Sequence, residues 1–378
     1  MKKILIVNIG TELGGVEKSL IEFLRFLSKE DCTVDLVLWK KRGPLFSQIP
    51  NNINIIENLS PGSINQIKSL PLAKRPLRLL YYIIFKLFGL FSIAWKCVPS
   101  LKTEYDIAIS YCHNGYSPYY VIDKVKSEKK YLFYHHGSYE KDNKAKRIDK
   151  KYYDKYDKLI TVSTANKLML STHFPELSNK ISVINNLLNE TAIIQKANEK
   201  CETFGNFEGC KICTVGRLSE EKGQLFALEV AHCLKSKEFN FKWIFVGDGP
   251  DKNLCEEKIN QYGLNDCCLL IGAKTNPYPY VSDADLYLQP SLVESEGIAV
   301  IEALVLNKFI IATDIPAVRE VLCNGNFGCL CDFNPNLIAD KIIYYSNIKN
   351  QADILNNLSK NPSRNILIQQ QIKELFKL

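Results

Sequence analysis

Residues 285–313 read DLYLQPSLVESEGIAVIEALVLNKFIIAT. The apolar runs at 285–289 and 309–313 each have the length of a buried strand, and the residues from Gly297 onward predict a helix between them. Two strands joined through a helix in this way pair in parallel, because the helix returns the chain to the end of the sheet where the first strand began. The stretch therefore predicts one unit of a parallel sheet covered by helices.

The same alternation of strands and helices runs through the whole chain. Each half holds enough predicted strands for a doubly wound sheet of its own. The sequence thus predicts an α/β protein with two Rossmann-like doubly wound parallel-sheet domains that face each other across a cleft. The strands are predicted at 2–8, 33–39, 106–110, 130–134, 159–162 and 181–185 in the first half, and at 211–216, 242–247, 267–271, 285–289, 309–313 and 329–332 in the second.

The domain boundaries follow from the places where the alternation is interrupted. We predict an N-terminal domain at 1–190 and a C-terminal domain at 210–362, joined by a polar, strandless linker at 191–209. Within 363–378, the apolar residues Ile368, Ile372 and Phe376 recur with a helical period. This last helix must pack on a domain, and the N-terminal domain is the candidate.

The composition is that of a globular protein about two domains long. Of the 378 residues, 46% are hydrophobic and 24% are charged, a balance that excludes disordered chains, collagens and coiled coils. Residues 1–10 predict a strand rather than a secretory leader, so we expect a cytoplasmic protein. The cysteines, including the CxxC pair Cys210 and Cys213, lack the partner spacing of a zinc site, and no metal is predicted.

The positive charge of the chain is concentrated in one stretch. The net charge is +7, and between Glu57 and Glu104 there is no acidic residue. No regular ladder of cations and aromatic residues typical of nucleic-acid binding is present, so nucleic acid is not predicted as a partner. The cations of the stretch are Lys68, Lys74, Arg75, Arg78, Lys86, Lys96 and Lys102.

Residues 79–95, within this basic stretch, are apolar apart from Lys86, Gly89 and Ser92. The run is too short to span a bilayer, which requires about 20 apolar residues. One interpretation is a helix that lies on an anionic membrane surface, held there by its apolar side chains and by the cations of 68–102. The other is a core helix of the first domain, and one helix could fill both roles.

Two familiar phosphate-binding loops are missing. The first strand leads into Gly10, Gly14 and Gly15, which do not form a GxGxxG fingerprint, and no GxxxxGK[ST] loop occurs. Dehydrogenases and P-loop ATPases are therefore disfavoured. Ligands of doubly wound sheets nevertheless bind at the carboxyl ends of the strands, so polar residues at those ends are the candidates for a site.

Two carboxylates follow the strand predicted at 285–289. Glu294 lies in the turn, and Glu302 lies on the apolar helix that Gly297 begins. Glu302 would thus be a carboxylate on a buried element and would need hydrogen-bond donors, which sugar hydroxyls supply. The free N–H groups at the helix start suit a diphosphate. The alternative is a capping carboxylate followed by an exposed glutamate.

Two cations follow the first strand of the second half, in the sequence TVGRLSEEKG at 214–223. Arg217 offers a planar guanidinium and Lys222 a mobile ammonium, and both can bind a diphosphate whose negative charge grows as it leaves. A solvated surface role is the alternative for such an arginine. Because both motifs end strands of one predicted sheet, the shared site is the better interpretation.

These motifs resemble those of the retaining GT-B glycosyltransferases of family four, also called glycosyltransferase group 1. The family's GRxxxxKG sequence is matched at 216–223, and the resemblance is specific over 216–320. Ser295 and Glu296 depart from the family pattern, and Glu296 adds a negative charge near the expected sugar pocket. The family signature PSxxEGxGxxxxEA is matched at Pro290, Ser291, Glu294, Gly297, Glu302 and Ala303.

The resemblance implies that the C-terminal domain binds a nucleotide-activated sugar. Arg217 and Lys222 would stabilise the departing diphosphate, Glu294 would hold hydroxyls of the donor sugar, and Glu302 would hold the ribose. Further donor contacts are implied at Gly216, Gly247, Ala273, Glu296, Gly297 and Ile298.

For the N-terminal domain the resemblance implies acceptor binding. Gly15, after the first strand, would lie near the phosphates. His135, at the end of the strand predicted at 130–134, would lie beside the reacting sugar as a catalytic residue, with His136 as the alternative. His113 and His136 are the weaker candidates for contact with the acceptor.

The expected activity is that of a retaining hexosyl- or N-acetylhexosaminyl-transferase in the biosynthesis of lipopolysaccharide or capsule. It implies a nucleotide-sugar co-substrate, with UDP favoured over GDP, a glycan or lipid-linked acceptor, and no cofactor or metal. The expected location is peripheral, at the inner face of the cytoplasmic membrane. The alternatives are a catalytically silent membrane-associated scaffold on the same fold and a nucleotide-sugar epimerase.

Overall fold

The computed structural model describes residues 1–40, 43–56, 61–62, 64–90, 93–200, 203–360 and 363–378. By their contacts the residues form two compact units. The first unit comprises Met1–Val162, Lys167–Leu187 and Arg364–Leu378, and the second comprises Ser163–Asn166 and Leu188–Ser363. Some positions discussed above lie outside the described residues, namely Glu57, Phe91, Ser92, Cys201, Glu202, Asn361 and Pro362.

The strands of the first unit are β1 Lys2–Asn8, β2 Cys32–Leu38, β3 Asn54–Ile56, β4 Glu104–Ser110, β5 Lys126–Tyr134, β6 Lys158–Thr161 and β7 Ile181–Val183. Among the described residues they form one sheet in the order β3-β2-β1-β4-β5-β6-β7, and all neighbouring pairs are parallel. The edge strand β3 was not predicted, because three residues are too few to show a pattern. The helices are α1 Gly15–Leu27, α2 Ile64–Lys68, α3 Arg75–Leu90, α4 Ser117–Lys124, α5 Asn143–Tyr153 and α6 Thr164–His173. The first three residues of α6 are counted with the second unit.

The central strand β1 shows why this sheet is buried on both faces. Its residues Ile4, Leu5, Ile6 and Val7 are all fully buried. Alternate side chains of a strand point to opposite faces, so Ile4 and Ile6 join one apolar cluster, whereas Leu5 and Val7 join another. Helices therefore cover both faces, as is expected of a doubly wound sheet.

The second unit repeats this architecture. Its strands are β8 Cys210–Val215, β9 Phe241–Val246, β10 Cys268–Leu270, β11 Leu286–Gln289, β12 Phe309–Thr313 and β13 Cys329–Cys331. In the described residues they form one parallel sheet in the order β10-β9-β8-β11-β12-β13. The predicted class of two Rossmann-like parallel-sheet domains is thus confirmed. The helices are α7 Glu190–Ala197, α8 Gln224–Ser236, α9 Lys252–Gln261, α10 Tyr278–Asp283, α11 Ile298–Val305, α12 Pro316–Val321, α13 Pro335–Tyr345 and α14 Ala352–Ser359.

Two segments near the predicted boundaries have structure of their own. The segment 191–209, predicted to be a linker, contains most of α7, and Ile193 of that helix is buried in the second unit. The last helix, α15 Asn365–Phe376, belongs to the first unit. There the ring of Phe376 lies 5.9 Å from Phe23 and 5.6 Å from Tyr131, measured between centroids.

In the described part of the chain, none of the helices combines the length and the apolar character that crossing a bilayer requires.

Candidate active site

The turn after β11 holds a polar network around Glu294. The Oε1 atom of Glu294 accepts hydrogen bonds from Ser291 Oγ at 2.8 Å and from Gln289 Nε2 at 3.3 Å. Ser291 and Gln289 are themselves buried, and the Gln289 side chain accepts from Tyr287 OH at 2.6 Å. A carboxylate with these donors is held in one orientation at the carboxyl end of the sheet.

Lys222 contacts the same carboxylate from a different loop. Its Nζ lies 2.7 Å from Glu294 Oε1, and the Glu294 side chain is 8% exposed. Lys222 ends a single helical turn at Glu220–Lys222 that follows β8. Two residues that the sequence assigned to separate roles, one for the diphosphate and one for the sugar, therefore meet as an ion pair.

The position of Lys222 depends on Gly223. Gly223 has φ of +68°, a left-handed conformation that favours glycine. A Cβ atom at this position would overlap the carbonyl oxygen of Pro290. The loop after β8 thus lies directly against the end of β11, and only glycine permits this approach.

Arg217 lies in the same loop but in a different environment. Its side chain is exposed, and within the described ranges it forms no hydrogen bond or ion pair. The backbone around it is fixed, because Gly216 N donates to Val246 O at 3.0 Å and Leu218 N donates to Asp248 O at 3.1 Å. A free guanidinium on an anchored loop is suited to binding an anion.

Glu302 is buried on α11, and only 4% of it is exposed. Its Oε1 accepts a hydrogen bond from Tyr278 OH at 2.8 Å. The alternative of an exposed glutamate is therefore wrong for this residue. Tyr278, in the NPYPY sequence at 276–280, was not predicted as its partner, because nothing local relates the two residues.

The remaining predicted donor contacts lie at the loops that end the strands of the second unit. Gly297 has φ of +82° and begins α11. Glu296, beside it, is 1% exposed, and Ile298 is half-buried. Ala273 is exposed and follows Gly272. Gly247 lies against the Gly216 loop, where a Cβ atom would overlap the Gly216 carbonyl oxygen.

In the first unit, Gly15 is the first residue of α1, and His135 follows β5. His135 is 6% exposed, and its Nε2 has no hydrogen-bond partner in the described structure. Burial lowers the pKa of His135 to about 3, although a backbone hydrogen bond with Tyr111 acts in the opposite direction. The imidazole is therefore neutral at pH 7 and offers one buried nitrogen to a ligand hydroxyl.

His113 follows β4 and lies close to the other predicted histidines. Its ring lies 4.1 Å from the ring of Tyr134 and 5.8 Å from that of His136. Burial first, and then the charges of His136, Lys141 and His135, hold the pKa of His113 well below its ordinary value. His136 is engaged with Ser138, whose backbone N–H donates to its Nδ1 at 3.2 Å.

The burial of His135 predicts a dependence of stability on pH. Its pKa of about 3 in the folded chain is below the unfolded value of about 6.5, so the unfolded state binds the proton more readily and acid favours unfolding. Between pH 7 and pH 5 this residue should remove about 2 kcal/mol from the free energy of unfolding.

We therefore expect His135→Phe to lose less stability than wild type over that interval, by about the same amount. Urea unfolding of the full chain at pH 7 and at pH 5 measures this difference. Identical losses for the two proteins would contradict the prediction.

The cysteine pair Cys210 and Cys213 is divided between the two faces of its sheet. Cys210 belongs to one apolar cluster and Cys213 to the other, because residues three apart on a strand point in opposite directions. Over the described ranges, no group of three or more His, Cys, Asp and Glu side chains is arranged to hold a metal ion.

Comparison with known proteins relates both units to families of transferases. The family model "Glycosyl transferases group 1" matches residues 205–362, and the model "Glycosyltransferase Family 4" matches residues 13–191. Each match coincides closely with one sheet domain.

Curated relatives match parts of the chain. An uncharacterized glycosyltransferase of Methanocaldococcus jannaschii is 34% identical over 200 residues, which cover 51% of this chain and 47% of that protein. The N-acetylgalactosamine-N,N'-diacetylbacillosaminyl-diphospho-undecaprenol 4-alpha-N-acetylgalactosaminyltransferase of Campylobacter jejuni is 26% identical over 181 residues, 48% of each protein. The chain thus spans about half the length of these relatives.

A solved structure matches the whole chain. Anabaena HepE, crystallised with UDP and glucose, has a TM-score of 0.74 and 17% sequence identity, and 100% of both chains is covered. At this identity the likeness concerns the fold.

Proposed function

The chain belongs to the GT-B glycosyltransferases of group 1 and family 4, and from this premise we propose that it transfers a sugar from a nucleotide-sugar donor to a hydroxyl group of an acceptor. The acceptor is a glycan or a lipid-linked sugar in the assembly of a cell-surface polysaccharide. The transferred group is a hexosyl or N-acetylhexosaminyl residue, and its anomeric configuration is retained.

The observation that carries this proposal is the arrangement of charges at the carboxyl end of the second sheet. Lys222 and Glu294 are in contact there, the Arg217 guanidinium is exposed after β8, and Glu302 is buried on α11. Two cations suit a diphosphate, and two oriented carboxylates suit the hydroxyls of a sugar and a ribose. A nucleotide sugar contains all of these groups.

Arg217 and Lys222 would stabilise the leaving group. When the bond between the sugar and the diphosphate breaks, negative charge accumulates on the phosphate oxygens, and preformed cations stabilise that charge more than they stabilise the bound donor. Arg217, which has no described partner, can bind a phosphate without breaking an existing contact. Lys222 must first share its ammonium with the phosphate.

Glu294 and Glu302 would orient the donor. As Lys222 turns toward the diphosphate, the Glu294 carboxylate becomes available to accept hydrogen bonds from sugar hydroxyls, while Ser291 and Gln289 keep it in place. Glu302, with Tyr278 on one oxygen, would accept hydrogen bonds from the ribose. The N–H groups of Gly297 and Ile298 at the start of α11 would add donors to a phosphate.

The first unit would bind the acceptor. A neutral His135 with an open Nε2 can accept a hydrogen bond from a sugar hydroxyl. A lipid-linked acceptor agrees with the printed name of the Campylobacter jejuni relative, which includes a diphospho-undecaprenol. UDP is the favoured nucleotide because HepE was crystallised with it. With such an acceptor, the protein would act at the inner face of the cytoplasmic membrane.

Nucleotide binding tests the donor site directly. We expect one of UDP, GDP, ADP and CMP, with UDP favoured, to raise the melting temperature of the full chain. At 100 times its dissociation constant a ligand adds about 2.7 kcal/mol of stability, or roughly 5–10 °C for domains of this size.

Glu302→Ala should lose this shift, since the ribose contact is removed. Glu302→Gln keeps the volume of the buried side chain, so this variant separates the loss of the carboxylate from a folding defect caused by an empty space. If no nucleotide shifts the wild-type protein, the proposed donor site is wrong and a silent scaffold becomes the better interpretation. If a nucleotide binds, incubation with the matching nucleotide sugars and NMR analysis of the product linkage test both transfer and retention.

A further inference from the structure

The helix α3 of the first unit has an apolar face that the other described residues leave uncovered. None of its side chains is buried. Leu77 is 76% exposed, and Leu90 is 79% exposed. Around the helix, at 3.6 residues per turn, these residues and their neighbours form one continuous surface, which we call the α3 face. Its large apolar side chains are Leu77, Leu79, Leu80, Ile83, Leu87, Phe88 and Leu90.

The opposite side of α3 attaches the helix to the first unit. The ring of Phe85 lies 6.0 Å from that of Tyr116, and Phe85 packs against the apolar cluster on one face of the sheet. Arg78 Nε donates to Pro61 O at 3.0 Å. The helix is therefore held by one side, so it packs on the first unit as a core helix would and still exposes its other side.

An apolar surface of this size is unfavourable in water and marks an interaction site. The surrounding charge identifies the partner. Lys68 and Lys74 are exposed just before the helix, Lys86 lies at the border of the α3 face, and Lys96 and Lys102 are exposed after it. The sequence has no acidic residue between Glu57 and Glu104 to offset them. An occupant must offer apolar groups and negative charge together.

We propose that the α3 face docks on a lipid bilayer that contains anionic lipids. The helix would lie in the plane of the interface, with its leucine and isoleucine side chains among the acyl chains and its cations at the headgroups. With 16 residues, α3 is too short to cross a bilayer of about 30 Å at 1.5 Å per residue. A second copy of the chain fits less well, because it would bring two cationic surfaces together.

This inference deepens the proposed function, since it names the surface through which the protein reaches a lipid-linked acceptor. The reason for membrane docking rests on the proposed function, whereas the docking itself does not. Vesicle binding requires no donor and no transfer, whereas the nucleotide-induced melting shift requires no lipid. The two proposals can therefore fail independently.

The test is sedimentation of the full-length protein with vesicles of phosphatidylcholine alone or mixed with phosphatidylglycerol. We expect binding to the mixed vesicles to exceed binding to the neutral ones by at least tenfold. Raising the salt from 0.1 to 0.5 M should weaken it, because salt screens the attraction between the cations and the lipid headgroups.

Two double variants test separately the apolar side chains of the α3 face and the cations around it. Leu80→Glu with Leu87→Glu should reduce binding at least tenfold. Lys74→Glu with Lys86→Glu should reduce it at least 25-fold, because each lost cation near the membrane weakens binding about fivefold. All four side chains are exposed, so unchanged melting temperatures are expected and confirm that the variants fold.

Matched controls use exposed residues elsewhere in the first unit. Ile366→Glu with Leu367→Glu changes two exposed apolar residues of α15, and Lys144→Glu with Lys151→Glu makes the same change in net charge on α5. Both controls should bind vesicles within threefold of wild type. Equal binding by all variants, or no binding by wild type, would overturn the proposal. So would self-association in sedimentation velocity that only Leu80→Glu with Leu87→Glu abolishes, since the α3 face would then be a contact between copies.

Discussion

Replacing Arg217 or Lys222 with alanine is expected to lower kcat by about 100- to 1000-fold, the loss typical when one preorganised donor to a developing negative charge is removed. Arg217 is exposed and has no described partner, so Arg217→Ala should leave the folded protein intact. The loss should appear in kcat more than in KM, because the charge on the leaving diphosphate grows toward the transition state.

Lys222→Ala should differ from Arg217→Ala in one respect. Lys222 also neutralises Glu294 at 2.7 Å, so its loss leaves a carboxylate facing the bound diphosphate. We expect donor binding to weaken as well, which raises KM together with the fall in kcat. The two substitutions should not be additive, since both act on one leaving group.

Steady-state kinetics with the nucleotide sugar identified in the binding test measure these effects. Lys252→Ala is the matched control, because Lys252 is an exposed cation on α9 of the same unit and should retain full activity. Values of kcat within threefold of wild type for both Arg217→Ala and Lys222→Ala would refute the assigned roles.

Gly223→Ala is expected to destabilise the protein by about 3 kcal/mol, the sum of two effects. The substitution places a side chain in a left-handed backbone conformation, which costs about 1 kcal/mol. It also drives a Cβ atom into the carbonyl oxygen of Pro290, and relief of such an overlap requires a backbone shift that costs a further 1–3 kcal/mol or so. The melting temperature should fall by roughly 6–12 °C.

Gly263→Ala separates the two causes. Gly263 has φ of +64°, close to the +68° of Gly223, but the nearest atom to its added Cβ is Lys235 Nζ at 4.0 Å. It should therefore lose only the conformational part, about 1 kcal/mol. Calorimetry of the full chain compares the two variants. Equal losses would show that the contact between the β8 loop and the end of β11 is not tight.

The Gly223 substitution should also affect the site. Any shift of this residue moves Lys222, its neighbour, away from Glu294. Nucleotide binding by Gly223→Ala should thus be weaker than by Gly263→Ala even at a temperature where both proteins are folded. The stability of this loop and its proposed function depend on the same close approach.

The fold class and the positions of the charged motifs could be predicted from the amino-acid sequence. Runs such as 4–7 are short and apolar without interruption, a pattern typical of strands that are buried on both faces of a parallel sheet. Two elements were not predicted, namely the short edge strand β3 Asn54–Ile56 and the helix α7 within the expected linker. Both are too short to show a clear periodic pattern of apolar residues.

The contacts between distant side chains, and the exposure of the α3 face, could be seen only in the folded chain. Lys222 and Glu294 come from loops far apart in the chain, and nothing local requires them to pair. Tyr278 reaches Glu302 for the same reason. From the sequence, α3 could be either a core helix or a surface helix, because an apolar pattern has the same appearance in both. Hydrophobic patterns follow from the periods of helices and strands, which are local properties of the sequence. The burial of a side chain and its contacts depend on which distant segments pack against it.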